Sequence, residues 1–514
     1  MRTTIEAGDP MIRAEWTTFC AARGWVIGMV IAGVLTTLPG LLFAAGSRTG
    51  CMQGTVEAVC AAPPTGPGGE AVRDRFFFLN RQLDGDGGIT VRVGPMTGRI
   101  KELPPPGTAG PGAAPVPGVV PWAKAGIMIK KSVEQGAAYT AVMTTSEHGV
   151  RMQHDFTEDT AGSTTGRWLR LTREGKTITG YESPDGRQWA RIATAEIEGP
   201  ARIGLFAASP GHLTLDRTAP GRSAFAMSFT EVTATFDRLA LRGAGGEWSR
   251  DDIGIQYERD GRTPHHPGGV VQSGDAFTLT GVGDIAPLVE GHRIEHTLTG
   301  LILGLIVMIV VAAWSGAADH RRGLIGTTML AGPQRSRVLV AKAAVVAGTA
   351  SVTGLVAAAV AVSIGTRMLE ANGDHLLPVS LLTEIRVVAG AATLCAAVAV
   401  LALAIGTLLR RRLAAVAAAV ALIVLPYALA TALVLPDAVA QWVFRLTPAA
   451  GFAVLQSIPS YPQMLGNFVP AEGFYPLPPW AGLAVLCGYA ALALGLAVRR
   501  TRRGNTAFDD MGPK

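Results

Sequence analysis

Few residues in this chain have the types and spacing that chemistry needs. Gly175-Lys176-Thr177 is the one place where a phosphate-cradling loop could be read, but that pattern needs a glycine at 170, where Arg170 stands. A turn between strands is the simple reading, and no ATPase is expected in this chain. A sandwich glycosidase would need two carboxylates flanking a cleft, about 5 to 9.5 Å apart. The acidic pairs Glu158-Asp159 and Asp251-Asp252 fall in loop-like sequence rather than on one strand face. No catalytic residue, and no cofactor, is therefore expected. His265-His266 lies in a Pro/Gly-rich stretch without nearby Cys or acidic ligands, which argues against zinc. Of five cysteines, Cys51 and Cys60 follow the first apolar run and read as a local disulfide in an oxidising compartment, with two free thiols as the alternative. Cys20, Cys395 and Cys487 lie in or beside apolar runs, where a lone cysteine is usually a small packing residue.

The elements that would position these residues are mostly membrane spans. The chain has 514 residues, 48% apolar and 16% charged, where roughly a quarter charged is usual for a soluble protein. Thr297 to Ala318 and Ala343 to Thr366 contain no Asp, Glu, Lys or Arg. About 20 such residues in a helix cross a ~30 Å hydrocarbon core. Four more spans are expected at 24–47, 387–409, 413–436 and 479–498. Residues 1–23 read as an interfacial segment with Ile12, Trp16 and Phe19 at helical spacing, or as a plain extension of the first span. No clear cleavage site closes the first apolar run, which is expected to remain as an anchor. Residues 437–478 read as a loop, with Leu446 to Ala471 too rich in proline to span simply and partly re-entrant as an option.

The net charge of +6 could suggest nucleic acid, but the basic residues cluster at span ends, so topology is the better account and no nucleic-acid partner is expected. Arg321, Arg322, Arg335, Arg337 and Lys342 crowd the loop 319–342, and Arg410-Arg411-Arg412 and the 499–514 tail are similarly basic. Positive charge in short loops marks the cytoplasmic side. Both termini are then inside a multi-pass protein of the cell membrane, and residues 48–295 are outside.

Residues 48–295 change character. Short runs of period-two alternation, from Ile89–Val93 to Thr233–Leu241, are separated by turn signals such as Gly85-Asp86-Gly87-Gly88 and Ser183-Pro184-Asp185-Gly186. Many strands at roughly ten-residue spacing indicate an all-β antiparallel sandwich or jelly roll inserted into a helical membrane protein.

Two resemblances sharpen this. The loop Asp319-His-Arg-Arg-Gly-Leu-Ile-Gly-Thr-Thr, continued by Pro333-Gln-Arg-Ser-Arg-Val-Leu-Val-Ala-Lys342, resembles the cytoplasmic loop of ABC-2-type transporter permeases, notably actinobacterial ones. It departs at His320, where an aromatic is common, and at Gly326, often Arg. Leu446-Thr-Pro-Ala-Ala-Gly-Phe452 and Pro478-Pro-Trp-Ala-Gly-Leu483 are similar to that family's last outer loop and last span. The resemblance implies an exporter subunit in a homodimer or heterodimer, driven by a separate ABC ATPase that Arg321, Arg322, Leu324, Ile325, Arg335 and Arg337 would contact. The inserted domain resembles the concanavalin-A-like lectin/glucanase group, in its enolase-regulation-like branch, through Ala125-Gly-Ile-Met-Ile129, Trp168-Leu-Arg-Leu-Thr-Arg173, Tyr181-Glu-Ser-Pro-Asp-Gly-Arg-Gln-Trp189 and Ile203-Gly-Leu-Phe-Ala207. Trp168 and Trp189, with Ile127, Leu171 and Phe206, suit a sandwich core. A sugar-stacking platform made by Trp168 and Trp189 is the sharper reading, with a cell-wall glycan as partner. The alternative to an exporter is a membrane-anchored glycan receptor whose helices are scaffold. Membrane lipid is a partner in either case.

Overall fold

The computed structural model describes residues 9–48, 50–53, 56–59, 61–101, 114–219, 222–257, 263–289, 291–318, 335–432, 434–461 and 473–509. They fall into two compact units. The first is helical and holds the described residues of 1–49, 292–459 and 468–514; the second holds those of 50–291 and 460–467.

The helical unit contains α1 (Asp9–Ala21), α2 (Arg23–Gly46), α3 (Leu301–Ala318), α4 (Arg335–Ala371), α5 (Leu381–Leu409), α6 (Arg412–Thr431), α7 (Asp437–Leu446) and α8 (Pro479–Asp509). Two short 3₁₀ segments, η1 (Ile294–Leu298) and η2 (Pro448–Leu455), join them. Six of the helices, all but α1 and α7, are long and apolar enough to cross a membrane. Several outrun the apolar windows that announced them. α4 starts at Arg335, so Arg335, Arg337 and Lys342 sit on a helix rather than in a loop. Nothing after Pro333 interrupts helix formation, and proline is tolerated at helix starts. α5 starts at Leu381 behind Ser380, whose hydroxyl accepts from the Thr383 N–H, and so takes in Glu384 and Arg386.

Helices this apolar on every side associate through close packing. Glycine supplies it between α3 and α5. A Cβ on Gly316 would lie 2.4 Å from the Leu403 carbonyl, and one on Gly406 would lie 2.3 Å from the Ala313 carbonyl. The stretch read as a loop holds α7, which presents Ala440 and Phe444 inward and Val439 and Trp442 outward. It then turns through 98° into η2. Every residue of η2 is buried, including a glycine, Gly451, packed on Leu486.

The second unit is antiparallel β. Its strands are β1 (Gly50–Gln53), β2 (Val56–Val59), β3 (Val72–Asp74), β4 (Phe76–Val93), β5 (Thr97–Lys101), β6 (Val116–Pro117), β7 (Lys124–Lys130), β8 (Tyr139–Thr145), β9 (Val150–His154), β10 (Glu158–Ala161) and β11 (Trp168–Glu174). They continue with β12 (Thr177–Ser183), β13 (Ala190–Glu196), β14 (Ala201–Ala208), β15 (His212–Ala219), β16 (Arg222–Ile253), β17 (Gln256–Tyr257), β18 (Pro264–His265), β19 (Gly269–Ser273), β20 (Ala276–Gly281) and β21 (Ile285–Pro287). The long β4 divides the main sheet. Along one edge its first half pairs with β14 and its second half with β11, while β16 follows its other edge. One branch runs β14-β7-β8-β9-β10 and the other β11-β12-β13. The branches face each other: Gly180 of β12 lies against Val142 of β8 and Met152 of β9. Leu79, Ile127, Leu171 and Leu205 fill the space between them. A second apolar layer, with Phe76, Phe78, Tyr139 and Phe206, covers the outer side of the first branch. All seven residues of β7 are buried for that reason, and alternation disappears where both faces are covered.

Two buried ion pairs tie the ends of this unit to its centre. β3 and β21 pair with each other, Asp74 opposite Ile285. Lys130 Nζ lies 2.8 Å from Asp74 Oδ2, and Lys124 Nζ lies 2.7 Å from Asp284 Oδ1, at opposite ends of β7. Burial pushes the Asp74 carboxyl up and the Lys130 amine down, and each is opposed by the charge of the other.

Candidate functional site

Among the described residues of the helical unit, a set of ionisable groups gathers at the end where α2 stops at Gly46 and α3 starts at Leu301. Chain direction puts it there: η1 is the return into the helices and carries Glu295 and His296 directly after His292 and Arg293. Arg293 is 3% exposed, with Nε 3.6 Å from Glu295 Oε1 and its guanidinium 4.7 Å from the Phe474 ring centroid. The His296 imidazole faces two donors of Arg293, the backbone N–H at 3.4 Å and Nη2 at 3.3 Å. Burial, then the Arg293 charge, then His292 push its pKa down to about 4, so it is neutral near pH 7. His292 Nε2 lies 3.5 Å from Ser47 Oγ and 3.7 Å from Asp374 Oδ1. These contacts join the end of α2 and the α4–α5 connection to η1.

The opposite wall comes from η2 and the segment before α8. Arg386 of α5 donates to the Gln456 carbonyl at 2.8 Å and to that of Val454 at 3.4 Å, capping the exit of η2. Gln456 Nε2 donates to the Ile458 carbonyl at 2.6 Å, and its Oε1 accepts from the Tyr475 N–H at 2.9 Å. Glu295 Oε1 accepts from the Ser457 N–H at 3.4 Å. Among the described residues, Glu295 Oε2 and Ser457 Oγ are buried without a hydrogen-bond partner. Between the walls is a cavity of 270 Å³. Arg293, Glu295, His296 and Gln456 give it a polar side; Leu298, Ile302, Tyr427 and Phe452 give it an apolar one. Ionisable groups are costly to place among apolar helices. The arrangement can solvate a polar group at the end of an apolar bundle, between η1 and η2.

Sequence reading missed this cluster. No span carries a central charge, and the groups come from four separate connections that only folding brings together. The available signal was the run His292-Arg293-Ile-Glu295-His296, four ionisable residues directly before an uncharged span.

The residues singled out from sequence are dispersed. Arg321, Arg322, Leu324 and Ile325 lie outside the described residues. Arg335 opens α4, and Arg337 is exposed in its first turn. Cys51 is on β1, with Ala58 opposite it in register, and Cys60 lies outside the described residues, as does any bridge between them. Trp168 and Trp189 are half-buried, on the side of the second branch away from the core, whereas Ile127, Leu171 and Phe206 are fully buried. Strand alternation decides this: Leu169 and Leu171 point inward, so Trp168 and Arg170 point out. One face of each indole is occupied. Arg170 stacks 3.7 Å from the Trp189 centroid, and Gly186 sits against Trp168 so closely that a Cβ there would be 2.8 Å away.

The acidic pairs prove to be on strands rather than loops. Asp159 takes hydrogen bonds from Arg151 and Gln153, Asp251 from Asn80 and Ser249, and Asp252 from the Gly268 N–H. His266 stacks on Phe229 at 3.7 Å. Among the described residues, no three His, Cys, Asp or Glu side chains gather as a metal-holding group. Gly175 makes the β11–β12 turn with φ +59°, and Lys176 pairs with Glu196 at 2.8 Å.

No family model matches the chain, and no curated protein matches it. Among solved structures, a functionally unknown protein from Saccharomyces cerevisiae is similar over 39% of this chain and 88% of its own, at 16% identity and a TM-score of 0.20. A likeness of that size carries no argument about fold or function.

Proposed function

We propose that this chain is the membrane-spanning subunit of an ABC-type exporter, driven by a separate ATPase and working as a homodimer or heterodimer. The observation that carries the reading is the cavity between η1, η2 and the segment before α8, polar on one side and apolar on the other, at one end of a unit with six long apolar helices. A helical anchor has no use for a buried Arg293 set beside Glu295, whereas a transport path needs polar groups where a solute leaves the hydrocarbon. The likeness of the 319–342 segment to the permease loop supplies the drive: ATPase closure would push on Arg321, Arg322, Leu324, Ile325, Arg335 and Arg337. Guanidinium groups suit carboxylates on such a partner because they bind them bidentately. The basic span ends then lie in the cytoplasm, and the β unit, which we read as concanavalin-A-like, lies outside.

The discriminating variant is Leu324→Ala with Ile325→Ala, which leaves the charge untouched. It is expected to insert and dimerise normally but to lose ATPase copurification and transport-coupled ATP hydrolysis. Unchanged copurification and hydrolysis would refute the coupling role and favour the second reading, a glycan receptor anchored by its helices. That reading draws on the half-buried Trp168 and Trp189 of the β unit.

A further inference from the structure

A groove of 1210 Å³ runs between α2 and α4 and shares no residue with the polar cavity. Its seam is made by small residues. A Cβ on Gly33 would lie 3.3 Å from Thr353 Cγ2, and Thr37 Oγ1 donates to the Ala357 carbonyl at 3.3 Å. Alongside the seam, branched side chains recur every four residues, the spacing that keeps to one helix face. Val26, Val30 and Val34 line one bank and Val352, Val356 and Val360 the other, and all six are exposed. Gly348 leaves the floor open, with no atom within 4 Å of where its Cβ would be. Hydroxyls add little polarity, since Thr37 also donates to the Gly33 carbonyl and Thr349 to that of Val346, each at 3.0 Å.

The chain connection puts α1 at the end of the groove where α2 begins. Ile12, Trp16 and Phe19 line that end from one face of α1. Phe19 is buried against Trp25, their ring centroids 5.7 Å apart, and so fixes the helix, while Trp16 stays 50% exposed. On α2 the lining runs from Val26 to Leu41, about 22 Å at 1.5 Å per residue. One leaflet of a ~30 Å hydrocarbon core is about 15 Å deep, so the groove takes an acyl chain at full extension. A span of another chain fits it less well. A helix about 10–12 Å across would run on past both ends, and α1 stands at one of them. A lipid lays its chain along the valines and turns its head out beside Trp16, a residue suited to headgroup depth. We propose that this groove is a binding site for an acyl chain of a membrane phospholipid, whose headgroup sits beside α1. The site is independent of the exporter reading and requires only that α2 and α4 cross a bilayer.

Photolabelling of the full-length protein in detergent tests it, with an equimolar amount of phosphatidylcholine carrying a diazirine in its acyl chain. Mass spectrometry of the peptides reads where the label lands. It is expected on the α2 and α4 linings at least about fivefold over α6, a preference worth roughly one more buried methylene. The comparison is fair because Leu413 and Leu425 of α6 are as exposed as the groove valines. Gly348→Leu fills the open floor and should cut the α2 and α4 labelling about fivefold by the same measure, without moving the melting temperature of the lipid-free protein. Equal labelling of α2, α4 and α6 would mean an unselective lipid-facing surface, and labelling untouched by Gly348→Leu would put the chain elsewhere. A dimer that Gly348→Leu dissociates, with no label on α4, would make a second copy the occupant. Each of these results would overturn the proposal. The comparison of α4 with α6 in the wild-type protein decides the matter even if the variant fails to fold.

Discussion

At the scale of single residues, charge is held by arrangements whose titration can be measured. His296 is buried neutral beside Arg293, with its pKa pushed down to about 4. An unfolded histidine takes its proton near pH 6.5, so the unfolded state binds the extra proton first as pH falls. Stability is then complete above about pH 6.5 and is lost progressively down to about pH 4, by about 3 kcal/mol at the acid end. The expected result is that His296→Gln makes unfolding of the purified protein less sensitive to pH across that window. Asp185 shows the same sign at lower pH. The N–H groups of Arg187 and Gln188, then the Ser183 hydroxyl, hold its carboxyl below the usual range. The turn is expected to persist to lower pH than an ordinary aspartate would allow, and to loosen as pH falls through that depressed value. A carbon-13 titration of Asp185 should give a midpoint below about 3.9, rising in Ser183→Ala.

The buried pair Lys130–Asp74 makes a third test at this scale. Removing one partner leaves an uncompensated charge in a sealed wall, and such losses run to about 3–5 kcal/mol. Lys130→Met should therefore destabilise the β unit strongly, as read by pulse proteolysis of the intact chain, while adding Asp74→Leu should recover much of the loss. A double variant no better than the single would mean that the pair also positions Gly136, whose N–H donates to Asp74 Oδ2 at 2.8 Å.

Elements pack by two different rules in the two units. In the β unit, apolar burial decides, and β7 is buried on both faces because each face has its own apolar layer. In the helical unit, small residues decide. Gly316 and Gly406 let α3 and α5 touch backbone to backbone. Gly348 of α4, by contrast, has no atom within 4 Å of where its Cβ would be. Gly316→Leu is therefore expected to destabilise the detergent-solubilised protein by about 1–3 kcal/mol, while Gly348→Leu should leave its thermal unfolding nearly unchanged. Equal effects would show that helix propensity, rather than contact, governs both sites.

On the scale of the whole molecule, the division into a helical unit and a β unit has a direct consequence. The β unit has its own apolar layers, and β3, which precedes the main sheet, pairs with the last strand, β21. Residues 62–291 expressed alone are expected to give a β-rich circular dichroism spectrum and one cooperative melt; a molten, dye-binding product would mean that the helices complete the fold. The orientation across the membrane is read by labelling. A cysteine placed at Ser183 should react with an impermeant reagent on intact cells, and one at Ser336 should not.

What depends on composition along a line was legible before folding: which segments are apolar enough to cross a membrane, where the β unit is inserted, and how basic residues gather at the ends of the apolar runs. These follow from local hydropathy and from period-two alternation, both of which are one-dimensional properties. That Arg293, Glu295, His296 and Gln456 meet around one cavity follows from the folded chain alone, since they come from stretches as far apart as η1 and the exit of η2. Folding decided as well that the proline-rich stretch after α6 forms a bent helical pair with η2 wholly buried, and that Trp168 and Trp189 lie on the outer side of the sandwich. A tryptophan on a strand is equally at home on either face, and which face is inward depends on what packs there. The branch opposite brought Val142 and Met152 into the same core as Leu169 and Leu171, and the indoles were left on the other side.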